Sequence, residues 1–131
     1  NVGKRTTSHG GIRMTEDQER EYSNAYQLRQ NGDLNGAVSV LRKLSDELPQ
    51  SATVAIVLGD TYWDLGELDH ALPWFLKAVE LEPSTELASL ALFHCLWKMD
   101  RTDDAFDEMR RFLKDNYSNE YTQILDGINK D

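Results

Sequence analysis

The chain matches itself when it is shifted by 34 residues, and that period limits its architecture more than any other feature. Ala37, Ala71 and Ala105 stand 34 apart, as do Gly32, Gly66 and Asp100, and Leu41, Phe75 and Met109. Pro49 and Pro83 keep the interval, with Tyr117 in the third place. A fixed period of this length marks a stack of supersecondary units, each burying its apolar face against the next. Two amphipathic segments appear within each period. The first ends at Gly or Asp, residues able to take the left-handed conformation that terminates a helix. The second starts after a polar residue such as Asp69 or Asp103, a candidate cap, and stops before Pro or Tyr. Short connections make the two helices of a pair antiparallel. The expected helices span 16–31, 35–48, 52–65, 69–81, 86–99 and 103–115. Thr15 is positioned to cap the first of them. Pro73 falls in roughly the first turn of the fourth, where a missing amide proton costs little.

A seventh segment follows. Tyr121, Ile124, Leu125 and Ile128 recur at i, i+3, i+4 and i+7, an apolar stripe on one helical face. An open array leaves its last apolar side in water, and a terminal amphipathic helix over 119–129 would cover it. At the other end, residues 1–13 show no apolar period and two adjacent glycines. They are read as a leader outside the fold, either added for expression or disordered. The remainder, 14–131, forms one domain with repeats at about 18–51, 52–85 and 86–119.

These residues resemble three tetratricopeptide repeats followed by a capping helix. The second repeat carries the likeness best. Leu58, Gly59, Tyr62, Ala71, Phe75, Ala78 and Pro83 occupy seven of the family's eight signature positions, and only Ala55 departs, where the family often has Trp. The first repeat keeps Ala25, Ala37 and Pro49, with Leu28, Leu41 and Leu44 as aliphatic substitutes. The third keeps Leu92 and Ala105 but places Phe93 where the family is normally small. The resemblance implies an all-α fold, a right-handed α-solenoid of antiparallel helix pairs with seven helices in total.

It also gives a use for a ring that the core cannot take. Tyr62 and Trp63 are adjacent, so on a helix they point about 100° apart. Ala55, Leu58, Gly59 and Tyr62 form the stripe that packs between helices. Trp63 continues a second stripe with Ile56 and Asp60, and in the family this stripe lines the concave groove of the superhelix. Stepping by 34 adds Tyr22, Tyr26 and Arg29 from repeat one, and Leu90, His94 and Trp97 from repeat three, with Asp64 and Lys98 near the rim. Aromatic rings and Arg are the usual anchors of an interface. The alternative is that the rings pack on one another inside the monomer. The expected function is therefore non-catalytic: a groove for a short apolar or basic-apolar peptide or helix of a protein partner. Self-association into a homo-oligomer is the second reading. A chaperone for a secreted bacterial protein is a more specific variant drawn from the family. Relatives that grip acidic chaperone tails use Lys, Arg and Asn in this groove, and here those places hold Tyr22, Tyr26, Ile56, Asp60 and Leu90.

Composition narrows the partner. The formal net charge is −9, and because Lys4, Arg5 and Arg13 face no acid within the first 13 residues, the rest carries −12. Nucleic acid needs a basic footprint, and an acidic surface is repelled by anionic headgroups, so neither is expected as a partner. No apolar run approaches the ~18–20 residues that cross a bilayer. One cysteine, Cys95, has no intramolecular partner, which fits a reducing cytoplasm. No cofactor or metal is expected. His70 and His94 cannot assemble the three or four ligands that zinc requires, and Gly32 and Gly66 are single terminators rather than a phosphate loop.

Overall fold

The structure, a computed structural model, describes residues 6–9 and 12–129. Its elements are β1 (Thr6–His9), β2 (Ile12–Thr15), α1 (Glu16–Gln30), α2 (Leu34–Glu47), α3 (Ala52–Asp64), α4 (Leu68–Leu81), α5 (Glu86–Lys98), α6 (Thr102–Asp115) and α7 (Asn119–Asn129). All seven expected helices are present, each within about two residues of its expected bounds. Helices α1/α2, α3/α4 and α5/α6 pack as successive pairs, α2 meets α3, α4 meets α5, and α3 also touches α5. The architecture is a right-handed α-solenoid, with the first helix of each pair on one side and the second on the other.

The segment read as a leader differs from that reading. Thr6–His9 pairs antiparallel with Ile12–Thr15, from Thr6 opposite Thr15 to His9 opposite Ile12. The hairpin touches α1, and Met14 is buried. Period-2 alternation is too short here to stand out against a helical pattern, and the rest of the expected leader, residues 1–5 and 10–11, lies outside the described residues.

The turns within the pairs repeat to the atom. Asp33, Glu67 and Arg101 donate their amides to the carbonyls of Leu28, Tyr62 and Leu96 at 2.8, 2.9 and 2.9 Å. Gly32, Gly66 and Asp100 donate to Arg29, Trp63 and Trp97 at 3.0, 2.8 and 3.0 Å. This is the Schellman closure, and it needs a left-handed residue at its centre. The three φ angles are 85°, 78° and 60°. Helix starts are less uniform. Thr15 and Gln18 form a reciprocal capping box, while Asp33 and Ser51 accept from the amides of Gly36 and Val54. Asp69 and Asp103, expected as caps, instead lie inside the first turns of α4 and α6. There they favour the positive end of the helix dipole without capping an amide. Pro73 is the sixth residue of α4, beyond the first turn, and the helix runs on through it. The exposed position lets water take the carbonyl that its missing amide proton leaves free.

Packing in repeat two depends on Gly59. A Cβ there would lie 2.5 Å from Phe75 Cε1, so only glycine lets the Phe75 ring press on α3. In repeat three, Phe93 takes Gly59's place and the flexible Met109 takes Phe75's. The bulk has moved from one helix of the pair to the other. Phe93 is buried and forms the centre of an aromatic cluster, with Trp97 stacked at 5.9 Å and Phe106 and Tyr121 edge-on at 6.1 and 5.4 Å.

Candidate functional site

The first helices of the pairs turn their second stripe onto a common groove of about 510 Å³. It is lined by Arg29 of α1, Asp60, Trp63 and Asp64 of α3, Leu87, Leu90, Ala91 and His94 of α5, and Glu120 of α7, with Phe75 of α4 behind. Six of the eleven residues expected in the groove thus meet there. Trp63 is half-buried, with part of its ring open to the hollow.

Charge within the groove is unevenly satisfied. Arg29 Nη2 donates to Asp64 Oδ2 at 2.8 Å, a bridge that joins repeat one to repeat two. Its Nε is buried without a partner. Asp60, one turn before Asp64, makes no hydrogen bond to the described residues. Its carboxyl is pushed up to about 6 because burial penalises the anion; Arg29 opposes the shift and Asp64 adds to it. Tyr22 stands near this pair and is half-buried, its phenol raised chiefly by burial and held back by Arg29. His94 shares the groove with Asp60, but no hydrogen bond joins them.

The remaining expected residues lie elsewhere. Tyr26 is 53% exposed and lines a smaller hollow beside Arg29, Gln30 and Asp64. Ile56, expected in the lining, is a correction: at 7% exposure it belongs to the core. Lys98 is exposed and lies outside the groove lining. Trp97 is 46% exposed but faces a separate apolar cleft of about 210 Å³ with Phe93, His94, Ile124 and Ile128. One of its faces is covered by Phe93, and Phe106 meets it edge-on at 5.7 Å. The two indoles therefore open onto adjoining hollows, bridged by His94.

Sequence reasoning missed this cleft, although the signal was present. One further step of 34 from Leu90 and His94 reaches Ile124 and Ile128, so α7 holds the place of a fourth groove helix. A buried polar chain that anchors α7 was also missed. Ser89 Oγ lies 2.7 Å from both Glu108 Oε2 and the Tyr121 hydroxyl. Arg111 donates to Glu108 through Nε and Nη2 at 2.8 and 2.6 Å, and through Nη1 to the Pro83 carbonyl at 3.0 Å. Burial raises the Tyr121 phenol well above its ordinary range, with the Ser89 hydrogen bond opposing. Cys95 is buried, its thiol raised by burial, and it contacts Met99 Sδ at 3.9 Å. Among the described residues no cluster of His, Cys, Asp or Glu could hold a metal ion, and no helix is long and apolar enough to cross a membrane.

A sequence model of the tetratricopeptide repeat matches residues 52–85. No curated protein is similar enough in sequence to match the chain. Among solved structures, the tetratricopeptide domain of P58(IPK) superposes with a TM-score of 0.70 at 25% identity, over 82% of this chain and 30% of that one. A MamA structure gives 0.69 at 24% identity, over 76% of this chain and 54% of that one. The second tetratricopeptide domain of Spaghetti (RPAP3), bound to the HSP90 peptide SRMEEVD, gives 0.67 at 12% identity, over 75% of this chain and 91% of that one. The chain thus spans about half the length of that MamA chain and a smaller part of P58(IPK). Residues 52–85 are thus matched as a tetratricopeptide repeat, the same helix pair recurs on either side of them, and the chain shares the helical-repeat fold of these structures.

Proposed function

We propose that this domain is a non-catalytic interaction module that holds a short segment of a protein partner in the groove across α1, α3, α5 and α7. The observation that carries the reading is the half-buried Trp63 in the lining of a groove of about 510 Å³, which Leu87, Leu90 and Ala91 also line. Covering such apolar surface stabilises a complex by roughly 25 cal/mol per Å² before the entropic cost of association is subtracted. Peptides selected from a displayed random library against the full chain supply the probe. Trp63→Ala should weaken the selected peptides at least tenfold while helical circular dichroism persists. Trp74→Ala, on the far side of the array, should leave them unchanged. Equal loss from both variants, or from neither, contradicts the groove reading.

A second reading, self-association, draws on the cleft beside α7. Ile128 is 44% exposed next to the open indole of Trp97, an apolar pair at the end of the array. Light scattering over a dilution series decides it: a mass that stays monomeric at high concentration removes this reading.

A further inference from the structure

Two carboxylates in the groove form no ion pair or hydrogen bond among the described residues. Arg29 is bonded to Asp64, and that pair is close to neutral. Asp60 and Glu120 remain, one on α3 and one on α7, and both line the hollow that Trp63, Leu87, Leu90 and Ala91 share. Arg29 serves Asp60 only in part: its Nη2 is committed to Asp64, and its charge lowers the Asp60 carboxyl less than burial raises it. Lys98 lies outside the lining. The domain around the groove is itself strongly acidic. An anionic segment such as the SRMEEVD peptide bound by the RPAP3 domain would meet repulsion here. A neutral apolar segment would cover Trp63 but leave the Asp60 carboxylate further desolvated and unpaired, which is costly.

We infer that the occupant of this groove is a segment carrying a Lys or Arg side chain between apolar residues, its cation set against Asp60 and Glu120 and its aliphatic stem along Trp63. The inference rests on the groove reading above and adds the charge of the ligand. Asp60 supplies the fixed anion, partly shielded from water, where a charge-assisted hydrogen bond is stronger than at an open surface. Trp63 offers a π-face within the same hollow, a surface on which a Lys or Arg stem packs well.

A pH dependence follows. The charged and titratable groups acting on Asp60 are Arg29 and Tyr22 on α1 and Asp64 on α3, while His94 on α5 and Glu120 on α7 line the same hollow. The Asp60 carboxyl titrates at about 6 in the free protein. Only its anion pairs with the cation, so affinity should be full above that pH and fall below it, about tenfold by pH 5.0. His94→Gln, a change elsewhere in the same hollow, serves as the control for the Asp60 effect.

The probes are nine-residue synthetic peptides with Leu, Ile or Phe flanking a central Lys, Arg, Gln or Glu. The full chain should bind the Lys and Arg probes at least tenfold more tightly than the Gln probes. Asp60→Asn should abolish that preference. Glu120→Gln, an exposed change that cannot disturb the core, should reduce it severalfold. His94→Gln should retain the loss in acid. If the chain binds Gln and Lys probes equally and Trp63→Ala weakens both, the basic ligand is overturned and the groove reading stands. Binding that Trp63→Ala leaves untouched, or no binding to any probe, overturns both.

Discussion

Asp60 is held in the fold at a cost in stability that its place in the groove accounts for. Its folded pKa of about 6 lies above the ordinary carboxyl value of 3.8, so the folded state binds the proton more tightly than the unfolded state. Stability is therefore greatest below the unfolded value, declines as pH rises between about 4 and 6, and levels off above 6. Asp60→Asn removes the charge without changing the shape. It should raise the melting temperature by about 3–6 °C at pH 7.5, corresponding to ~1 kcal/mol after discounting for water contact. At pH 4 it should give no gain. Equal melting temperatures of the two proteins at pH 7.5 would contradict the burial of this carboxylate. Gly59 is constrained for a different reason. Gly59→Ala places a Cβ against Phe75 and should cost ~1–3 kcal/mol by overpacking. Adding Phe75→Met, which replaces the ring by the flexible residue that repeat three has at that position, should recover most of it in a double-mutant cycle measured by urea unfolding. The glycine was legible as a family signature, but the ring it accommodates becomes evident only when α3 and α4 are brought together.

Helix α7 shows how much of an element can be read from pattern and how much cannot. Its apolar stripe announced a terminal helix, and the fourth step of the 34-residue period places Ile124 and Ile128 beside Trp97. Its attachment was not legible. Tyr121 enters the core through hydrogen bonds that link Ser89 of α5 to Glu108 of α6, and no spacing rule joins residues so far apart in sequence. Glu108 would read as a solvated acid, yet it is buried and bonded to Arg111. Tyr121→Phe keeps the ring but removes the hydroxyl next to Ser89. It should destabilise the domain by about 1–2 kcal/mol, with the loss seen first as faster amide exchange in α7. Exchange that rises equally in α1 would show instead that α7 is not a separately anchored element. The helix caps follow the same division. Gly32, Gly66 and Asp100 were readable because left-handed geometry restricts residue type. Asp69 and Asp103 were misplaced because an acid serves a helix start either as cap or as first-turn charge.

Taken as a whole, the molecule is a curved stack in which every first helix contributes to one hollow, and the period alone fixes most of that geometry. Which positions of a stripe stay open is what the sequence does not carry. Ile56 is buried, Lys98 lies outside the lining, and the two indoles are divided between adjoining hollows, although all these positions lie on stripes that look equivalent when written out. The central claim is that a partner is received in the hollow that Trp63 lines. Three tryptophans give three indole N–H resonances, assignable by single Trp→Phe variants. On titration with a selected peptide, two-dimensional nitrogen–proton spectra should show the Trp63 indole shifting in proportion to occupancy while that of Trp74 stays fixed. A Trp74 indole that moves while Trp63 does not would place the partner on the opposite face and contradict the account.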